Sequence, residues 1–186
     1  KSKVKINLLK HFEQNDCHGN IAVIKGKIRV GKTYLASCIA RMALKRGFNI
    51  ISNIRFTDDE LKRYKGRLFY ITSDKDFFNA YVEMEGPSIT IFDDAQATLA
   101  SSLTMKRKKG ELVNSLFLFI GKFESNAIYI AHLDYVPRFI YEQSPLWIYK
   151  LDRYSFYLSY DYYNDPHEIK QFCVKVPIPQ NLKPLN

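Results

Sequence analysis

The chain has 186 residues, 46% of them hydrophobic, with 13 Tyr and 13 Phe, which excludes a disordered protein and suits one domain with a sizeable core. Its net charge is +9, and residues 1–50 alone carry 11 Lys+Arg against 2 acids, an excess that suits phosphate-bearing ligands or a polyanion such as DNA, or simply a solvated basic face. Three cysteines, at 17, 38 and 173, are too scattered for a zinc site and point to reduced thiols inside a cell, while no apolar run reaches the ~18 residues of a membrane span and no signal-peptide pattern is present.

The first residue is Lys, so the natural start is expected upstream. Residues 1–19 are basic and amphipathic through Val4, Ile6, Leu8, Leu9 and Phe12, and predict a helix or arm. Asn20 to Lys25 is a short apolar run suited to a buried strand. It leads into Gly26-Lys27-Ile28-Arg29-Val30-Gly31-Lys32-Thr33, the spacing G-x-x-x-x-G-K-[ST] of the phosphate-binding P-loop, or Walker A. The spacing has a physical reason. Two glycines let the backbone curl round a phosphate chain with its N–H groups pointing inward. The ammonium of Lys32 reaches the terminal phosphates, the Thr33 hydroxyl helps hold Mg²⁺, and the following helix adds its positive end. The expected nucleotide-binding segment is therefore 26–34, ending at Tyr34.

Downstream, Leu35, Cys38, Ile39, Met42 and Ala43 fall on one helical face, and Gly47 closes that helix. Phe48–Asn53 reads as a strand, and Phe56–Arg67 as a short exposed helix with i,i+4 charge pairs and then a loop. Leu68–Thr72 reads as a strand, and Asp74–Met84 as a helix capped by Ser73 or Asp74.

Ser88-Ile-Thr-Ile-Phe-Asp93-Asp94-Ala-Gln96 is an apolar strand ending in two carboxylates, the Walker B pattern. The first, Asp93, is expected to assist the metal, and the second, Asp94, to orient or deprotonate the attacking water. Two adjacent acids at a strand end are costly without a cation nearby. Residues 97–110 end in the basic run Met105–Gly110, a surface loop that is either solvated or a contact to a phosphate backbone. Glu111–Phe123 has helical spacing. Asn126–His132 is a strand with His132 at its tip, where related folds often place a group that senses the γ-phosphate. Arg138, after Val136-Pro137, could reach a neighbouring subunit as an arginine finger, with Arg153 as the second choice. The C-terminal third is β-rich: Leu146–Leu151, Ser155–Tyr163 and Glu168–Val176 read as strands, the first two joined at Asp152-Arg-Tyr. Tyr154, Phe156, Tyr157, Tyr160, Tyr162 and Tyr163 pack in a sheet or stack on bases. Pro177, Pro179 and Pro184 mark an irregular tail.

The P-loop, the Asp-Asp-Ala-Gln strand end and the extra strand ending in His132 resemble the additional-strand class of P-loop ATPases with a RecA-like core. Ser52-Asn53-Ile54, Phe92-Asp93-Asp94-Ala95-Gln96 and the late Val136-Pro137-Arg138 look like the FtsK–HerA superfamily, and in size and style most like the genome-packaging ATPases of archaeal turreted icosahedral viruses. Zonular-occludens-toxin-like phage assembly ATPases come next. The resemblance covers roughly residues 18–150. It implies an α/β fold with a mostly parallel central sheet flanked by helices and a C-terminal β-hairpin extension. The chain would form a single ATPase domain: an arm over 1–19, a RecA-like core over 20–150, and a β-rich extension and tail over 151–186. It also implies Mg²⁺-dependent ATP hydrolysis coupled to movement of double-stranded DNA. Lys32, Asp94, His132 and Arg138 would carry the catalysis, with Thr33 and Asp93 at the metal. The expected partners are duplex DNA, further copies in a ring (commonly a hexamer), and capsid or membrane proteins. The expected location is the host cytoplasm or the virion. Two departures stand out: Asp94 replaces the usual Glu, and His132 stands where relatives more often have Gln, Asn or Ser. A thymidine-kinase-like enzyme also has a P-loop and an acidic strand end with Ala-Gln, but its zinc lasso needs paired Cys-x-x-Cys, which this chain lacks.

Overall fold

The computed structural model describes residues 9, 12, 21–95, 125–132, 136–144, 146–152, 155–161 and 169–175. Among them, eight strands form one sheet: β1 (Ile21–Gly26), β2 (Asn49–Ser52), β3 (Leu68–Tyr70), β4 (Ser88–Asp93), β5 (Asn126–Ile130), β6 (Leu146–Lys150), β7 (Ser155–Asp161) and β8 (Ile169–Lys175). Their order is β3-β2-β4-β5-β1-β6-β7-β8. The pairs from β3 through β6 are parallel, and β7 and β8 add antiparallel pairs at one side. The hairpin strands thus continue the central sheet, because β6 pairs with both β1 and β7.

The continuous apolar runs of β1, β4 and β5 require cover on both faces, as buried parallel strands do. Alternation divides their side chains. Ala22, Ile24, Ile89, Ile91, Ile128 and Ile130 join one core, where α1 (Lys32–Lys45) contributes Leu35, Ile39 and Leu44. Ile21, Val23, Phe92, Ala127 and Tyr129 join the other, with Phe77 and Tyr81 of α3 (Asp74–Glu83) and Ile140 of α4 (Arg138–Gln143). Each fully buried Ile, Leu or Phe contributes about 1.5–3 kcal/mol from removal of apolar surface. The arm predicted for residues 1–19 supplies Leu9 and Phe12 to the first core, and the Phe12 carbonyl accepts a hydrogen bond from Asn126 Nδ2.

The face of α1 differs from the spacing-based expectation. Ala36, Ala40 and Leu44 are buried with Leu35, Ile39 and Ala43, whereas Met42 is 45% exposed and Cys38 is half-buried. The small Ala36, Ala40 and Ala43 let the helix lie close on the sheet, which turns Met42 outward. Gly47 (φ +95°) follows the helix end as predicted.

The charged segment 56–67 also differs. Its helix, α2 (Asp58–Leu61), is a single turn, N-capped by Thr57, and its described ion pairs are not the i,i+4 ones expected. Lys62 meets Asp59 at i,i+3 on the surface. Glu60 instead turns inward to the Arg41 guanidinium of α1 and accepts the Tyr64 hydroxyl at 2.8 Å, while Arg41 lies 5.3 Å from the Phe56 ring centre. In α3, Ser73 is the cap: its hydroxyl accepts the Asp76 N–H. At the edge of the sheet where β4 begins, Tyr81, Thr90, Ser125 and Ser88 share buried hydroxyl hydrogen bonds of 2.6–3.3 Å, which satisfy polar groups within the core. The opposite edge carries the candidate site residues.

Candidate nucleotide site

Parallel strands put their carboxyl ends along one edge, where α/β folds bind ligands. Here that edge collects the P-loop after β1, Asn53 after β2, Asp93 at the end of β4, His132 two residues past β5, and Lys150 at the end of β6. The sheet order makes this convergence, since β5 lies between β4 and β1 and brings the Walker B strand within one strand of the P-loop strand.

The loop itself is built on left-handed backbone. Gly26 (φ +150°), Arg29 (φ +64°) and Gly31 (φ +87°) have positive φ, the kind of backbone from which anion-binding nests are built. At Gly26 a side chain is excluded twice, by the φ angle and because a Cβ would lie 2.4 Å from the Lys150 carbonyl oxygen. Gly31 is the N-cap of α1, with no side chain capping the helix start, so the positive helix end faces the loop. Lys27, Ile28, Arg29 and Val30 form the loop's crest, with Ile28 61% exposed. Tyr34 lies in the first turn of α1 and is half-buried.

Lys32 folds back over this crest. Its ammonium donates to the Gly26 carbonyl at 2.6 Å and to the Lys27 carbonyl at 2.9 Å. Thr33 Oγ1 donates to Asp93 Oδ2 at 2.6 Å, and Ser37 Oγ donates to the Thr33 carbonyl at 2.8 Å. Asp93 is fully buried. Its Oδ1 accepts the Ala95 N–H at 2.9 Å. Asp94, beside it, is 1% exposed.

Asn53 is the residue that sequence reasoning missed in this part of the site. Its Nδ2 donates to the Asp93 carbonyl and its Oδ1 accepts the Asp93 N–H, both at 2.8 Å. One planar amide thus grips both backbone groups of the Walker B aspartate. Its sequence signs were a polar residue directly after an apolar strand and its place in the Ser52-Asn53-Ile54 segment that carried the resemblance, neither of which assigned it a role. Lys150 was missed as well. It is 3% exposed, sits opposite Gly26 in the β1–β6 register, and donates from Nζ to the Asp152 carbonyl at 2.5 Å. Burial pushes its ammonium pKa down, against the opposing pull of Asp152. A cation ending an otherwise apolar strand was its sequence sign.

Asp93 and the P-loop are therefore brought together, with Asp94 next in the chain. His132 is half-buried on the same edge, and the ladder beside it continues through the Ala131 N–H to Ile24 carbonyl bond of 2.9 Å. Arg138 does not join them within this chain. It opens α4 with its side chain 91% exposed and pairs with Glu142 at 2.7 Å. Arg153, Tyr154, Tyr162, Tyr163, the basic run at 105–110, the helix expected over 111–123 and the proline-marked tail lie outside the described residues. Phe156 is buried, and Tyr157 is 43% exposed.

The residues fit a magnesium ion. Thr33 and Asp93 converge as two hard oxygen donors, and Mg²⁺ takes most of its remaining ligands from substrate phosphates and water, not from a full protein cage. Among the described residues there is no group of three or more His, Cys, Asp or Glu side chains that would instead form such a cage.

No protein-family model and no curated protein sequence matches the chain. Solved structures do match. The DNA-packaging ATPase B204 of Sulfolobus turreted icosahedral virus is 18% identical, with a TM-score of 0.50, over 89% of this chain and all of B204. The genome-packaging NTPase B204 of Sulfolobus turreted icosahedral virus 2, solved with ATP-γS, is 16% identical at a TM-score of 0.50, over 86% of this chain and 98% of its own. A KaiC-like protein of Pyrococcus horikoshii is 11% identical at a TM-score of 0.59, over 91% and 95% of the two chains. With the parallel order around β1 and the glycine loop before α1, these likenesses make the fold that of the RecA-like P-loop ATPases.

Proposed function

We propose that this chain is an ATP-hydrolysing DNA translocase, a motor of the viral genome-packaging kind that uses Mg²⁺. The observation that carries the reading is the 2.6 Å contact between Thr33 Oγ1 and Asp93 Oδ2 beneath the glycine loop, the pairing a nucleotide-bound Mg²⁺ requires. The fold it shares with a packaging ATPase of matching length supports the coupling to DNA, as does the basic excess of the chain.

In this reading Lys32 exchanges its two loop carbonyls for the terminal phosphates, which spreads charge as the phosphoryl group transfers. Thr33 and Asp93 would hold Mg²⁺, which supplies charge neutralisation across the phosphate oxygens. Asp94 positions the attacking water and takes its proton. Aspartate is one methylene shorter than glutamate, so the water sits close to the strand end or is reached through a second solvent molecule. His132 reads the γ-phosphate from the β5 side. Arg138, exposed on its own subunit, completes the site of a neighbour in a ring, commonly hexameric. The ring threads duplex DNA and works with capsid or membrane proteins in the host cytoplasm or on the virion.

The test is ATP hydrolysis measured with and without duplex DNA, beside a nucleoside-phosphorylation control. Stimulation by DNA is expected. Hydrolysis indifferent to DNA would point to an assembly ATPase, and phosphoryl transfer to a nucleoside would point to a kinase.

A further inference from the structure

We infer that Lys150 is a second phosphate ligand of the nucleotide site, supplied by the same chain. Its ammonium is held on a backbone carbonyl until a nucleoside polyphosphate enters the loop. This inference rests on the nucleotide-binding reading above.

Position comes first. Lys150 ends β6 directly opposite Gly26, in a parallel register that begins at Ala22 and Leu146. Leu146 and Ile148 of the same strand join the core beneath α1, so alternation sends the Lys150 side chain to that face too. There it runs to the head of α1, where its Cε lies 3.9 Å from the point a Gly31 Cβ would occupy. Lys150 therefore touches the P-loop at both glycines: its carbonyl oxygen and Cβ crowd the place of a Gly26 side chain, and the end of its own side chain lies in van der Waals range of Gly31.

Chemistry comes second. A lysine ammonium has three donors. Among the described residues this one has a single hydrogen-bond acceptor, the neutral Asp152 carbonyl. No carboxylate lies within ion-pair distance of it among the described salt bridges. The Asp152 carboxylate accepts the Ser155 N–H at 2.8 Å through Oδ1 and attracts the ammonium without forming a described ion pair with it. A buried charge with a neutral partner destabilises a fold more than an apolar side chain of similar length would. The hairpin turn has no need of a charge, because Asp152 Oδ1 and the Leu151–Ser155 backbone bond already close it. An anion arriving at the loop supplies what the amine lacks. The lowered pKa agrees: the charge is held in a dry place, ready for a partner that would stabilise it.

The competing role is a brace that ties the β6–β7 turn to the loop, and two variants separate the roles. Lys150→Met removes the charge and keeps the bulk. Lys150→Gln removes the charge but retains a donor for the Asp152 carbonyl. A phosphate ligand predicts apo thermal midpoints at or above the wild type for Lys150→Met. It predicts affinity for ATP and for inorganic tripolyphosphate lowered on the order of 10- to 100-fold in both variants, as expected for one lost charge-assisted bond. Tripolyphosphate carries no base, so equal losses place the contact on phosphate. Wild-type affinity in Lys150→Gln overturns the inference, even if Lys150→Met fails to fold. So does a loss of apo stability at unchanged ATP affinity in Lys150→Met. If wild type and Lys32→Ala bind ATP equally poorly, the nucleotide site itself falls, and Lys150 with it.

Discussion

Thr33 and Asp93 are sixty residues apart in the chain and joined by a 2.6 Å hydrogen bond from Thr33 Oγ1 to Asp93 Oδ2. The bond links the first turn of α1 to the end of β4 across the intervening β5. Removing the hydroxyl with Thr33→Val keeps the shape of the side chain and takes away one oxygen donor. Mg²⁺-dependent hydrolysis should fall at least about tenfold, while binding of ATP in excess EDTA changes little. A Thr33→Val enzyme with wild-type magnesium dependence would remove Thr33 from the metal site.

Asn53 should matter to the metal without touching it. Its amide sets the backbone of Asp93 from both sides, so Asn53→Ala lets the carboxylate drift. Supporting groups of this kind are typically worth about 10–100-fold in metal affinity. The half-saturating Mg²⁺ concentration for hydrolysis should rise by a factor in that range, with kcat at saturating Mg²⁺ recovering most of its value. A fall in kcat that no concentration of Mg²⁺ restores would argue for a broader collapse of the site.

Lys32 and Asp94 should fail in different ways. Lys32→Ala removes the ammonium that crosses the loop crest and should abolish productive turnover. Asp94→Asn preserves size but cannot take a proton, so hydrolysis should drop on the order of 10²–10⁴-fold with ATP affinity nearly intact. Equal losses of binding and hydrolysis would reassign Asp94 to the metal.

Gly26→Ala should distort the loop at its first residue. The new methyl meets the Lys150 carbonyl oxygen at 2.4 Å in a backbone conformation alanine avoids. Backbone strain of this kind costs about 1–3 kcal/mol, and the clash adds to it. Chemical denaturation should show the lower stability, and nucleotide titration a weakened site. An unchanged unfolding midpoint would mean that β1 and β6 separate freely there.

The Glu60 cluster predicts an acid limb of stability away from the site. Burial raises the Glu60 pKa, but hydrogen bonds from Arg41 and Tyr64 outweigh it and hold the carboxyl below its ordinary value. Its contribution is therefore present above the unfolded carboxyl range and is lost as pH falls through the depressed folded value. Tyr64, pushed up to about 12 by burial and by its bond to Glu60, has the opposite sign: its share is present below its ordinary pKa near 10 and is lost as pH rises toward 12. In urea unfolding from pH 6 to pH 3, the wild type should lose more stability than Glu60→Gln. Parallel curves would show that Glu60 titrates alike folded and unfolded.

Local chemistry alone determined the loop and its flanks. Glycine spacing, the apolar run before it, the helical period after it and two acids closing a strand are read from neighbours in the chain, because phosphate cradling and strand burial act over a few residues. Resemblance extended this to the RecA-like fold. The tertiary structure decided what depends on strand order and register. Sliding β5 between β4 and β1 sets the span Thr33 must bridge to Asp93, and pairing β6 with β1 puts Lys150 against both P-loop glycines. The close seat of the three alanines of α1 on the sheet left Met42 in solvent, and a one-turn helix sent Glu60 to Arg41. Such contacts join residues many positions apart, and no local period records which distant strand will lie alongside.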